Sequence, residues 1–305
     1  MIDYIKKIIK FIFPFFLILI GLYLLKSIYN KPEFSFTKIN YNYILIYCTV
    51  YLIQYYIFTL SVPILLGIKN TLVTFYIARY STIFNNISPL KVGLPVKAYL
   101  FKKYLNIDPS HSSGAMSIEI SAHITITLFA CAIIGINNIL DNYKVSYELI
   151  LLFVLLIVII IILFLLVISF FSSRVLNFFK KTYRFYLSLL KVPERILYTY
   201  IISSLSLLIM IFRMYLLIVA SGGEMKFYNV ALIILTTNFI SMVSIIPAGY
   251  VVRELTGVFL FVQFGLDLNL AAIVLIIDRM VTIVITFSLG IFSYFKLGNI
   301  GLVRD

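Results

Sequence analysis

Between Leu149 and Phe171 the chain runs for 23 residues without one charged side chain. A helix of that length covers the roughly 30 Å hydrocarbon core of a bilayer. Comparable apolar segments recur along the chain, which is 62% hydrophobic and 12% charged. Soluble domains are roughly half apolar and about a quarter charged. The expected fold class is therefore an all-α polytopic membrane protein with about eight transmembrane helices. The spans are read at 8–29, 43–67, 71–89, 112–136, 149–171, 196–221, 227–246 and 270–295. No loop is long enough for a soluble domain, so residues 1–305 are read as one integral membrane domain, and the expected location is the cell membrane.

The N-terminus has the basic start and apolar run of a signal peptide. Lys26-Ser27-Ile28-Tyr29 follows without a small-x-small cleavage site, which favours a retained first span. The net charge of +13 comes from 25 basic and 12 acidic residues. With no basic stretch outside short loops, that excess points to topology and anionic lipid as partner, and not to nucleic acid. The loop from Ser172 to Arg195, with Arg174, Lys180, Lys181, Arg184, Lys191 and Arg195, is the expected cytoplasmic loop. Simple alternation from an inside N-terminus would place it outside. Either an interrupted segment crosses, or the N-terminus lies outside. Cys48 and Cys131 each fall in a span, so neither a disulfide framework nor a cysteine metal site is expected. No cofactor motif is present.

Ionisable residues inside such spans are expensive and read as functional by default. They are Arg79, Glu119, His123, Arg213, Arg253, Glu254, Asp278 and Arg279. Glu119 and His123 stand at i and i+4, on one helix face. Pro247-Ala248-Gly249 breaks the helix ahead of Arg253, and a broken helix at membrane depth is tolerated only inside protein or beside a cavity. Lys91, Lys97, Lys102 and Lys103 alternate with apolar residues around Gly93 and Pro95, which suggests an interrupted amphipathic or re-entrant segment. Asn85, Asn86 and Asn238 suit freed backbone groups near the breaks. His111 is expected in a loop. The many Tyr and Phe residues fit interfacial belts and are assigned no role.

Asp108 and Asp267, Glu119 and Asp278, Gln54 and Arg213, and Arg79 and Asn238 each stand 159 residues apart, and Pro89 and Pro247 match within one residue of that offset. The order span, span, broken segment, span also recurs. This suggests two related halves: a first repeat at 43–140 and a second at 196–305. An N-terminal span and loop at 1–42 precedes them, and a connecting span and basic loop at 141–195 joins them. Paired interrupted helices are the best sequence pointer to a transport site.

Pro247, Gly249, Arg253 and Glu254 fit a P-G-G-x-G-x-R-E element, with Ala248 and Val251 in place of glycines. Asn86, Pro89, Gly93, Lys97, Ala98 and Leu100 follow an upstream run containing proline, glycine and a basic-Ala pair. Glu119 falls at a Glu-Arg-x-x-Asp element in which Ile120 and His123 replace the arginine and aspartate. On these residues the chain resembles the lysylphosphatidylglycerol synthase transmembrane (flippase-like) family, over about 43–295. The resemblance implies handling or flipping of a phosphate-bearing lipid: phospholipid, polyprenyl phosphate or glycolipid. The aminoacyl-transfer domain of the synthases has no counterpart in this sequence, so lysyl transfer is not expected. The substrate-binding set is then Arg79, Asn86, Lys97, Glu119, His123, Arg213, Arg253, Glu254, Asp278 and Arg279. Arginine suits phosphate because its planar fork binds two oxygens at once. An alternative use of the same charges is pairing within the bundle.

Two rival classes remain. One is a lipid-modifying or glycosyltransferase-accessory enzyme using Glu119, His123 and Glu254; the other is a secondary transporter of a non-lipid solute. No D-x-x-x-D pair for a metal-bound pyrophosphate and no phosphate-binding G-x-x-x-x-G-K-[ST] loop exists. The expectation is a protein that is not an enzyme and holds no metal.

Overall fold

The computed structural model describes residues 41–88, 91–142, 173–243 and 252–302. The expected spans 8–29 and 149–171, Pro89 and the Pro247-Ala248-Gly249 break lie outside these residues. The described chain forms helices and no strands. In order they are α1 (Tyr41–Thr59), α2 (Ser61–Leu66), α3 (Thr71–Ile87), α4 (Gly93–Leu105), α5 (Pro109–Asn142), α6 (Ser173–Leu190), α7 (Pro193–Ala220), α8 (Phe227–Val243), α9 (Val252–Gln263) and α10 (Leu268–Leu302). Among the described residues, four stretches are long and apolar enough to cross a bilayer: Asn42–Leu66, Pro109–Ile134, Pro193–Ala220 and Leu268–Ile300. This is a polytopic helical membrane protein.

The expected spans at 71–89 and 227–246 are α3 and α8, each 17 residues long and each followed by a shorter helix that folds back. Val73 of α3, Phe101 and Tyr104 of α4, and Met116 of α5 share one apolar cluster with Leu65. The start of α3 and the end of α4 therefore lie at the same end of the bundle. Val230 of α8, Phe261 of α9 and Ala271 of α10 share a second cluster with Leu217 and Ile218. Helix α7 joins the two ends: Arg195 near its start donates to the Leu65 carbonyl at 3.5 Å, and Leu217 near its finish sits in the second cluster. The two hairpins thus enter from opposite ends. Their tips meet where Lys91 donates to the Met242 carbonyl. Gly93 lets α4 start directly against Ser81 and Asn85 of α3, since a Cβ there would overlap both.

The packing repeats with the halves exchanged. α3 lies against α4 and α10, and α8 lies against α9 and α5, while α1 packs on α7. Local signals match as well. Asn106 after α4 and Gly265 after α9 stand 159 residues apart, and both take left-handed backbone, at φ 53° and 91°. Asp108 caps α5 by accepting from the Ser110 N–H at 2.8 Å and its hydroxyl at 2.7 Å. Asp267 caps α10 by accepting from the Asn269 and Leu270 N–H groups at 2.9 and 3.1 Å. Both are N-caps that satisfy otherwise orphaned helix donors.

The basic segment read as a loop is in fact largely helix α6. Leu189 is buried, and Phe185 stacks on His111 with ring centroids 4.9 Å apart, so an i, i+4 stripe docks on the start of α5. Lys180, Lys181 and Arg184 point outward. The charges hid this helix from a reading based on apolar runs, although its amphipathic period was present. His111 likewise lies in the first turn of α5 and not in a loop.

Hydrogen bonds from Ser110 hold the Asp108 carboxyl below its ordinary range. Its cap is therefore in place at neutral pH and is lost as the pH falls through the acid range. Replacing Asp108 or Asp267 by Ala should each cost about 1 kcal/mol, the usual worth of an N-cap. Asn at either position should retain most of that. Thermal unfolding in detergent measures both.

Candidate functional site

Tyr47, Tyr51, Tyr55 and Thr59 follow one another by four residues along one side of α1. Tyr47 donates to Asp278 Oδ1 of α10. Tyr51 and Tyr55 stack with centroids 5.1 Å apart, and the Tyr55 hydroxyl bonds Thr286 of α10 at 2.9 Å. Thr59 donates to the Tyr55 carbonyl at 2.8 Å and accepts from Arg79 Nη2 of α3 at 2.7 Å. The ladder therefore runs from the Asp278 carboxylate at one end to the Arg79 guanidinium at the other.

Asp278 is 2% exposed and gathers three partners. Arg213 of α7 and Arg253 of α9 each place Nη2 3.0 Å from one of its oxygens, and Tyr47 supplies the third contact. The Arg213 guanidinium lies over the Tyr51 ring at 4.3 Å. One position along α10, Arg279 grips Glu254 of α9 through Nε at 2.7 Å and through Nη2. Arg253 and Glu254 diverge by about 100° on their helix. They are met by Asp278 and Arg279, which diverge in the same way on α10.

The first half is wired differently. Glu119 of α5 is buried, and its only ion pair among the described residues is with Lys97 of α4 at 3.6 Å. His123, one turn on, sits edge-on to Phe58 with centroids 4.9 Å apart, and neither ring nitrogen has a hydrogen-bond partner among the described residues. Arg79 is 3% exposed, with Tyr55 3.6 Å and Phe75 5.5 Å from its guanidinium. No carboxylate oxygen among the described residues pairs with Arg79, and its Nε and Nη1 have no partner there. Asn86 lies two turns beyond Arg79, on the last turn of α3 near the hairpin tip.

Of the ten residues picked from sequence, the structure thus joins Arg213, Arg253 and Asp278 in one cluster and Glu254 with Arg279 beside it. Lys97 and Glu119 form a second group with His123 one turn away. Arg79 connects to the first cluster only through the tyrosine ladder. Tyr47, Tyr51 and Tyr55 were missed because their hydrophobicity suits any span. Their regular four-residue spacing was the available signal. A separate surface cavity, lined by Tyr215, Gly222, Glu224 and Lys226 among others, lies at the α7–α8 turn and touches none of these charges.

The sequence matches the family described as Lysylphosphatidylglycerol synthase TM region over residues 8–290. The chain belongs to this family. It is also 35% identical over 102 residues to a UPF0104 membrane protein of Methanothermobacter thermautotrophicus, a match covering 33% of this chain. That match spans only 30% of the relative's own length. No solved structure matches. Arg253 with Asp278 and Glu254 with Arg279 are the ion pairs that bind α9 to α10.

Removing one partner of a buried ion pair costs about 3–5 kcal/mol, because the other charge is left uncompensated. Asp278→Asn strands two guanidiniums and should destabilise by at least that much. Glu254→Gln, in a pair whose carboxylate side chain is 26% exposed, should cost closer to 1 kcal/mol. Detergent melting curves of the two variants check the order.

Proposed function

We propose that the protein translocates a phosphate-bearing lipid, with Arg79 holding the headgroup. The observation that carries this reading is the state of Arg79. Burying a cation costs several kcal/mol even after relaxation. Stacking on a desolvated tyrosine returns about 2 kcal/mol, and one hydroxyl acceptor about 1 kcal/mol. The guanidinium still has Nε and Nη1 to offer, and a phosphate takes two such donors at once. Arg213, whose Nε and Nη1 are also open, and Arg253 are each neutralised by Asp278; Arg79 has no carboxylate partner among the described residues.

The two folded-back hairpins support the same reading. We take them as re-entrant segments of an inverted repeat, entering from opposite faces and meeting near the midplane, an architecture suited to carrying a headgroup past the bilayer centre. Glu119 and Asp278 each lie ten residues into a long helix, about 15 Å from its start. The basic end, with Lys102, Lys103, Lys180, Lys181 and Arg184 outward, is assigned to the cytoplasmic side of the cell membrane. Arg79 and Glu119 are buried in this conformation, so loading requires the bundle to open, as alternating access does.

The test is a reconstituted vesicle containing this protein and a fluorescent anionic phospholipid or labelled polyprenyl phosphate. The wild type should move lipid between leaflets without altering it chemically. Arg79→Gln should slow movement at least about tenfold, the weight of one lost charge-assisted hydrogen bond. Arg79→Lys should fall between, keeping the charge and losing the fork. Full activity in a folded Arg79→Gln protein would refute the assignment. A chemically modified lipid would favour the enzyme instead.

A further inference from the structure

We infer that Glu119 is a proton-binding site linked to anion binding: protonating it releases Lys97 to join Arg79 on the phosphate. The inference rests on the headgroup reading above and adds to it a coupling ion, the proton.

The two halves provide an internal comparison. Glu119, His123 and Thr127 descend one face of α5, and Asp278, Thr282 and Thr286 occupy the positions 159 residues later on α10. On α10, Asp278 is held by two arginines and a phenol, and Thr286 bonds Tyr55. A carboxylate between two guanidiniums that cannot deprotonate stays ionised. On α5, Glu119 has one lysine at 3.6 Å, and its Oε1 has no hydrogen-bond partner among the described residues. The same holds for both nitrogens of His123 and for Thr127 Oγ1. All three side chains are at least nine-tenths buried. The α7 positions equivalent to Tyr47, Tyr51 and Tyr55 are Ser206, Met210 and Met214, so the second half supplies no phenol ladder to α5.

The charges acting on Glu119 are Lys97 from α4 and Arg79 from α3. No charge among the described residues acts on His123, which faces Phe58 of α1. Glu119 is thus the one anion beside Lys97 and Arg79 among the described residues, and it competes with any incoming phosphate for Lys97. When Glu119 takes up a proton as a neutral acid, the competitor disappears and the Lys97 ammonium becomes free to move toward Arg79. Proton and phosphate then favour each other's binding, and the coupling is reciprocal. His123 and Thr127 continue the polar stripe from Glu119 toward the far end of α5. The step is a proton transfer to a carboxylate, with no other bond made or broken.

The experiment is calorimetric titration of the detergent-solubilised full chain with dioctanoyl phosphatidylglycerol, whose phosphodiester stays a monoanion, at pH 5.5 and 7.5. Wild-type affinity should rise as the pH falls, by up to about tenfold per pH unit for one linked proton. Glu119→Gln mimics the protonated acid. It should bind at least as tightly as the wild type at pH 5.5, and equally at both pH values. Lys97→Met should bind more weakly and also lose the pH dependence, which provides a second reading if Glu119→Gln does not fold. If wild-type affinity is the same at both pH values, the proton link is wrong and the headgroup reading stands. If the wild type binds no probe at either pH, both fall. If Glu119→Gln and Lys97→Met keep the wild-type pH dependence, the linked proton belongs elsewhere and the assignment is wrong.

Discussion

The Asp278 carboxylate ties four helices together. Tyr47 reaches it from α1, Arg213 from α7 and Arg253 from α9, while α10 carries it. In hydrocarbon, association of apolar helices gains little from the hydrophobic effect, so packing and buried polar contacts must supply register. A charge with three partners on three other helices fixes their rotation and depth together. The Glu254–Arg279 pair one position along repeats the constraint between α9 and α10. Once these helices are set, the tyrosine ladder on α1 is oriented, and with it the place where Arg79 stacks.

The architecture uses its two related halves for different tasks. In the second half Arg213, Arg253, Glu254, Asp278 and Arg279 form ion pairs with one another. In the first half Arg79 has no carboxylate partner among the described residues, and Glu119 and His123 keep polar atoms without partners there, in an interior where unmet capacity is costly. Such a division lets one half act as frame while the other changes partners. The Lys91 contact to the Met242 carbonyl joins the hairpin tips at the boundary between them.

Much of this was legible in the sequence. The long apolar runs, the charges within them and the spacing of 159 residues gave the helical class, the candidate residues and the matching order of elements. Asp108 and Asp267 were paired by number alone, and both are N-caps. Three things were not legible. Helix α6 was hidden because its apolar stripe is narrow and its outer face is basic. The packing of α3 and α8 each against the shorter helix after it was only partly legible, as the interrupted or re-entrant segment expected around Gly93 and Pro95, because a 17-residue apolar helix reads the same whatever follows it. Which arginine lacks a carboxylate partner was also beyond one-dimensional reading. Arg253 looked best placed by its proline and glycine neighbours, yet Asp278 occupies it, while Arg79 carried no motif to single it out.

The most direct measurement of the central claim is a cryo-electron microscopy map of the protein in nanodiscs of anionic phospholipid. The account predicts a phosphate oxygen at about 3 Å, within hydrogen-bond distance of Arg79 Nε or Nη1. A protein carboxylate seated on Arg79, with lipid phosphates confined to the bilayer surfaces, would contradict it.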